Sequence, residues 1–130
     1  MAIERRRFPR ANVSCKISIV FGERLLVFTS HTENIGAGGI RVIIGAKLAY
    51  ATVVDLELFL PDRGEPIKCK GQIVWTNEIK QAENNLPLFD MGIQFIEISN
   101  SDQEEIKNFV NTILSQAAKI RGSQDAKTNG

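Results

Sequence analysis

A chain of 130 residues has room for one domain with a hydrophobic core and little room for a second. Hydrophobic residues make up 43% and charged residues 24%, and a formal net charge of +1 gives no reason to expect a nucleic acid or a membrane surface as partner. No apolar run approaches the roughly 20 residues of a membrane-spanning helix, so we expect a cytoplasmic protein without membrane insertion.

The chain begins with a basic arm, residues 1–12, which we expect to be flexible. Arg5, Arg6, Arg7 and Arg10 lie in this arm, opposed there only by Glu4. A guanidinium group presents a rigid fork of donors that matches phosphate oxygens and the O6/N7 edge of guanine, and its flat face stacks on purines. The cluster favours a small anionic partner, although a solvated basic terminus or a nucleic-acid arm would have the same composition.

Six segments with alternating apolar residues predict β-strands. They span residues 13–21, 24–30, 40–44, 52–60, about 67–75 and 88–98. Six short, mostly antiparallel strands need closure or cover for their edges, which favours a small barrel. In the fifth segment Trp75 is in phase with Ile73, so we expect the indole in the core, with stacking on a ligand as the alternative.

A glycine segment, Asn34-Ile35-Gly36-Ala37-Gly38-Gly39, separates the second and third strands. Glycine permits a positive φ and the close approach of a ligand to bare backbone. The amide of Asn34 offers a donor and an acceptor to the edge of a base. A tight turn or a β-bulge without any ligand would use the same residue types.

After residue 98 the apolar spacing changes to that of an amphipathic helix. Ser101 and Glu104 form a capping box that predicts its start. We place the end of the folded domain, residues 13–120, near Gly122 and expect a disordered tail over 121–130. The predicted apolar stripe consists of Ile106, Phe109, Val110, Ile113, Leu114 and Ala117. The stripe packs against the barrel in our interpretation, with a dimer surface as the alternative.

Cys15, Cys69 and His31 predict no metal site, because they show no CxxC or CxxH spacing. Both cysteines fall on the apolar phase of strand patterns, so we expect buried free thiols. The sequence also contains no plausible nucleophile–base pair and no phosphate-binding P-loop. We therefore predict a protein that is not an enzyme and needs no cofactor.

The RRxxR arm, the hairpin and the N-x-G-x-x-G segment, in this order, resemble the PilZ domain, a family that binds cyclic di-GMP. The resemblance extends from Arg6 to about Val110, and the segments 71–75 and 91–95 also fit it. It implies an all-β fold with a C-terminal helix, namely a six-stranded antiparallel β-barrel capped by that amphipathic helix. It also implies a receptor or adaptor module in bacterial second-messenger signalling.

The resemblance further implies a set of ligand contacts. The arginines would contact guanines and phosphates, Asn34 would bond a guanine, and Gly39 would let backbone and base approach. Gly36 stands where the family has serine, so one hydroxyl is missing. The implied contacts with cyclic di-GMP are Arg6, Arg7, Arg10, Asn34, Gly36 and Gly39, with Arg5, Gly38 and Arg41 as secondary candidates.

Three functions remain open at this point. In the first, the arm closes over cyclic di-GMP on the barrel and forms a surface for a downstream protein. In the second, a degenerate PilZ domain has lost the ligand and acts as a nucleotide-independent protein-interaction module. In the third, the barrel binds oligonucleotides, which the scarcity of outward aromatic residues disfavours, so we do not expect nucleic acid as a partner. A monomer and a homodimer both fit the sequence.

Overall fold

The structure is a computed structural model that describes residues 8–21, 26–61, 63–80 and 86–129, without the side chains of Leu26 and of 119–129. Alternating apolar and polar residues form the strands, and the change of period after residue 98 coincides with the helix. Within these residues the elements are β1 (Arg10–Ala11), β2 (Lys16–Phe21), β3 (Leu26–Gly36), β4 (Gly39–Ile44), β5 (Val53–Phe59), β6 (Ile67–Ile79), β7 (Leu88–Glu97) and α1 (Asn100–Asn129).

Strands β2 to β7 close into an antiparallel barrel. Their order is β3-β2-β5-β6-β7-β4, and a further pairing between β3 and β4 closes the ring. Strand β3 pairs with β2 through its first part, up to His31, and with β4 through its last part, from Thr32 to Gly36. The predicted six-stranded antiparallel barrel with a C-terminal helix is thereby confirmed. The short strand β1 is an addition that the sequence did not predict.

The barrel interior is filled by every second side chain of the strands. Ile17, Leu56, Ile73 and Ile93 are each at most 1% exposed. Burying one such side chain contributes about 1.5–3 kcal/mol relative to leaving it in water. The core therefore sets the shape of the barrel and the direction in which each outward side chain points.

The two cysteines lie in this core as free thiols, as the sequence predicted. Burial raises the pKa of the Cys15 thiol, although a hydrogen bond with Thr32 opposes this shift. Burial, with a smaller contribution from the charge of Asp102, raises the pKa of Cys69 to about 12. Because the thiolate is the reactive form, these raised pKa values lower the reactivity of both thiols near neutral pH.

Trp75 lies outside the core, so its predicted position was wrong. A β-bulge between Ile73 and Trp75 shifts the register against β7 and inserts Val74 as an extra residue. A bulge reverses the inward–outward alternation that the sequence pattern assumes. Ile73 is buried, whereas Val74 is 37% and Trp75 38% exposed. The indole ring lies across Gly92, where any Cβ would collide with it.

The helix begins before the predicted capping box. The Ser99 hydroxyl accepts a hydrogen bond from the Asp102 amide at 3.1 Å, and the Ser99 carbonyl accepts one from the Gln103 amide at 2.9 Å. Ser99 is therefore the N-cap, and the box predicted from Ser101 and Glu104 is wrong. A serine two residues earlier satisfies the first free amides equally well, which sequence spacing alone does not reveal.

Only the first part of the helical stripe packs on the barrel. Ile106 and Val110 are fully buried, whereas Leu114 is 38% exposed. The backbone remains helical through Gly122 to Asn129, since one glycine costs a helix only about 1 kcal/mol relative to alanine. The predicted tail boundary at 121 stays a prediction. Among the residues described, no helix is both long enough and apolar enough to span a membrane.

Arg63 fixes the start of α1 to the turn between β5 and β6. Its guanidinium donates to Asp102 at 3.4 Å and to Glu105. The hydrogen bond with Glu105, followed by the charges of both carboxylates, raises the pKa of Arg63. This arginine has a structural role that is remote in sequence from the arm and the glycine segment.

Candidate functional site

The last residues of the predicted arm are seated on the barrel. Strand β1 pairs antiparallel with the end of β3, with Arg10 opposite Gly36 and Ala11 opposite Ile35. Ala11 is only 2% exposed. The candidates Arg5, Arg6 and Arg7 lie outside the described residues, so their contacts and the flexibility of that part of the arm stay predictions.

Arg10 and Asn34, 24 residues apart in the chain, meet at this position. The Nη1 atom of Arg10 donates a hydrogen bond to Oδ1 of Asn34 at 3.1 Å. A guanidinium group can only donate, so the Asn34 amide must turn its carbonyl towards Arg10 and its NH2 group away. Arg10 and Asn34, two predicted ligand residues, are therefore in contact. This contact directs the NH2 group of Asn34 away from Arg10.

Glycine is needed at Gly36 and Gly39 because a Cβ there would collide with neighbouring atoms. None of them has a φ in the left-handed region, so the positive φ that the sequence allowed is not used. A Cβ at Gly36 would lie 2.8 Å from the carbonyl oxygen of Pro9 and 2.9 Å from Cγ of Arg10. A Cβ at Gly39 would collide with the carbonyl of Ile93 on β7. The close approach is therefore made by the protein's own chain.

Gly38 and its neighbour Ala37 connect the arm to the helix. A Cβ at Gly38 would lie 3.3 Å from Cδ2 of Phe8, so the phenyl ring rests against this glycine. The side-chain amide of Gln103 donates to the carbonyl of Ala37 at 3.0 Å. A hollow of about 290 Å³ lies between the ring and the first turns of α1, lined by Phe8, Asn100, Gln103, Glu104 and Lys107.

Arg41 lies directly opposite Asn34 on the neighbouring strand. Directly opposed residues of an antiparallel pair share one face of the sheet. Its fork donates to Asp90, with Nε 2.8 Å from Oδ1 and Nη2 2.9 Å from Oδ2, and this hydrogen bond raises the pKa of Arg41. The secondary candidate Arg41 is thus beside the site, and a carboxylate occupies its donors.

The same row continues across the outside of the barrel. Arg41 is opposite Gly92, and Gly92 is opposite Trp75. Sequence reasoning favoured the core for Trp75 over ligand stacking, because its phase before the bulge indicated the core. It missed Asp90, which the alternation marks only as an outward residue between Phe89 and Met91.

The guanidinium of Arg10, the amide of Asn34 and the partly exposed indole of Trp75 share this surface. Arginine forks and amides bind phosphate oxygens and base edges, and an indole provides a stacking surface for a base. In the described parts of the chain, no group of three or more His, Cys, Asp and Glu side chains is arranged to hold a metal ion. The surface is suited to binding a compact anion that carries bases.

A family model described as the PilZ domain matches residues 4–112. No curated protein matches the chain significantly. Among solved structures, the inhibitor of motility MotI/DgrA from Bacillus subtilis is 21% identical with a TM-score of 0.69, over 90% of this chain and 54% of MotI. The chain therefore spans about half the length of that protein.

Two further structures contain cyclic di-GMP, according to their descriptions. The PilZ domain of YcgR from Escherichia coli, with c-di-GMP, is 12% identical with a TM-score of 0.67, over 92% of this chain and 98% of that domain. The MrkH–c-di-GMP complex from K. pneumonia is 14% identical with a TM-score of 0.67, over 90% of this chain and 56% of MrkH. At these identities the similarity shows the shared fold.

Proposed function

The chain belongs to the PilZ domain family, and on that premise we propose that it is a receptor for cyclic di-GMP in bacterial second-messenger signalling. PilZ domains are ligand-binding receptor or adaptor modules and not enzymes. The observation that carries the proposal is the contact between Arg10 and Asn34, which joins the two predicted halves of the site. The c-di-GMP complexes of YcgR and MrkH, which share this fold, support the choice of ligand.

The ligand has guanine bases and phosphates, and the site offers a partner for each. Arg10, with Arg6 and Arg7 preceding it, provides forks for phosphate oxygens and for the O6/N7 edge of guanine. The NH2 group of Asn34 is directed away from Arg10 and suits an acceptor on a base. Trp75 provides a stacking surface at the other end of the row.

The missing hydroxyl at Gly36 does not remove the reason for binding. A lost neutral hydrogen bond costs about 0.5–1.5 kcal/mol, whereas each hydrogen bond to a charged group contributes about 1.5–3 kcal/mol. The arginines therefore outweigh the absent serine. We propose that ligand binding completes a surface on the arm for a downstream protein in the cytoplasm.

Calorimetric titration with cyclic di-GMP tests this function directly. We expect saturable binding by the parent protein and none at the same concentrations by an Arg6→Ala/Arg10→Ala double variant. Arg63→Ala is the matched control, because it removes an arginine whose described side-chain hydrogen bonds go to the start of α1 and to the Glu65 carbonyl and not to the site. Equal affinities of the parent and the double variant would contradict the assignment of the arm.

A second candidate is the nucleotide-independent interaction module, which Gly36 favours because it lacks the family hydroxyl. A folded parent protein that shows no heat of binding and no shift in melting temperature with cyclic di-GMP would support this alternative. A partner protein would then co-purify equally with and without the nucleotide.

A further inference from the structure

We infer that Gly36 is a positioning residue that seats the arm on the barrel before the ligand arrives, an inference that rests on the proposed function for its role in binding. Where the family motif has a serine hydroxyl, the missing side chain of Gly36 leaves room for the arm. Pro9 and Arg10 occupy that space, because a Cβ at Gly36 would lie within 3 Å of both, at 2.8 Å and 2.9 Å.

The collision cannot be relieved on the side of the barrel. Ile35, the neighbour of Gly36 in β3, is 0% exposed and holds the strand in the core. On the arm, the two colliding atoms are the carbonyl oxygen of Pro9 and the Cγ atom of Arg10. Both lie close to the backbone, and neither is the far end of a flexible side chain. Any side chain at position 36 must therefore displace the arm.

A second glycine anchors the arm one step earlier. The ring of Phe8 rests on Gly38, and the carbonyl of Ala37 between the two glycines is held by Gln103 of α1. Phe8 therefore contacts Gly38, whereas Pro9 and Arg10 contact Gly36. In this position Arg10 donates to Asn34.

Seating the arm changes the cost of binding. A disordered arm must lose conformational entropy when the ligand binds, and the apparent affinity falls in proportion to the fraction of molecules that are competent to bind. An arm already paired with β3 has lost most of this conformational entropy during folding, before the ligand binds. Gly36 therefore lacks one hydrogen bond to the ligand, but it allows Arg10 to be in place before the ligand binds.

Amide hydrogen exchange by NMR, without ligand, tests the seating of the arm. In Gly36→Ala we expect the amide hydrogens of Arg10, Ala11 and Asn12 to exchange about tenfold faster or more, because ordering one backbone residue is equivalent to about one tenfold step. Gly45→Ala is the matched control, because nothing lies within 4 Å of a Cβ at that position. Unchanged exchange of these amides in a folded Gly36→Ala variant would overturn the inference.

Phe8→Ala provides an independent test that leaves β3 unchanged. Because the ring rests on Gly38 and is only partly buried against the outside of the core, we expect most barrel amides to keep their protection while the arm amides exchange faster. If Gly36→Ala does not fold, the ligand-free parent decides the question, because β1 amides that exchange there at unprotected rates would overturn the inference.

Titration with cyclic di-GMP then connects the seating to binding. We expect Gly36→Ala to bind about tenfold more weakly, since its competent fraction is lower by about that factor. If the parent does not bind, the proposed function fails while the exchange experiment still decides the seating of the arm. If the parent binds and the arm of Gly36→Ala stays protected, the inference fails and the receptor function stands.

Discussion

The barrel interior and the surface formed by the arm and the glycine segment depend on the same strand in different ways. In β3, Ile35 is fully buried, while its neighbours Asn34 and Gly36 carry the arm and the candidate ligand contacts. The interior rests on many redundant apolar contacts, whereas the seated arm depends on two glycines and few polar contacts. Adjacent residues of one strand thus serve stability and binding separately, and variants can test each without the other.

The largest expected effect belongs to the interior. Replacing Ile73, which is 0% exposed, by alanine should lower the free energy of unfolding by about 2–5 kcal/mol, because it leaves a cavity in a packed core. Denaturant titration measures this loss. Ile96→Ala is the control, since Ile96 is 44% exposed and a surface change costs about 0.5 kcal/mol or less. Equal losses in the two variants would contradict the separation.

A binding effect without a comparable stability effect is expected at Trp75. Trp75→Ala should weaken cyclic di-GMP binding by about 1–3 kcal/mol, the usual contribution of one base stacked on an aromatic side chain. Trp75→Phe should retain most of the affinity, because a phenyl ring still offers a stacking face. Titration of both variants, with their unfolding curves, checks the assignment. Full affinity in Trp75→Ala would exclude Trp75 from the site.

A change at Asp90 tests how the charge of the row of outward residues affects ligand affinity. Asp90→Asn keeps the shape of the partner of Arg41 but removes its charge, so the potential beside Asn34 becomes more positive. We expect cyclic di-GMP to bind more tightly by about 0.5–1 kcal/mol, the range of exposed charge interactions. The gain should shrink at high salt, where screening is stronger. Weaker binding would instead make Asp90 itself a contact.

The smallest effect is expected in the turn before β5. Ala51 has a φ of 72°, which costs an L-residue other than glycine roughly 1–2 kcal/mol. Ala51→Gly should therefore stabilise the protein by up to about 1 kcal/mol after the greater entropy of glycine in the unfolded chain is counted. Thermal unfolding measures the gain, and ligand affinity should not change. A lower melting temperature would contradict the strain at Ala51.

The sequence predicted the six strands because their alternation is a local and repeated signal, but β3 runs to Gly36 and β6 to Ile79, past the predicted ends at 30 and about 75. It failed at Trp75, because a bulge depends on how β6 pairs with β7, which no window of β6 contains. It failed at the helix cap because Ser99 and Ser101 are chemically equivalent N-cap acceptors when only the sequence is known. Local patterns therefore specify elements, and the partner strands specify their irregularities.

The candidate site was only partly accessible from the sequence. Arg10 and Asn34 followed from residue chemistry and from the family resemblance, and the structure brings them together. The role of Gly36 could not be predicted, because the atoms that fill its space belong to Pro9 and Arg10, far away in the chain. The sequence indicated that a side chain is missing there, but not which atoms take its place.

The closure of β3 on β4 has a consequence for how the protein behaves at high concentration. Within the described residues every strand of the barrel pairs on both sides over part of its length. Residues 26–31 of β3 pair only with β2, residues 75–79 of β6 pair only with β7, and the outer edge of β1 is only 2 residues long. Long unpaired edges are the usual templates for strand exchange and fibrillar aggregation. Copies of this barrel therefore present only these short one-sided segments, and no full-length free strand, for such growth.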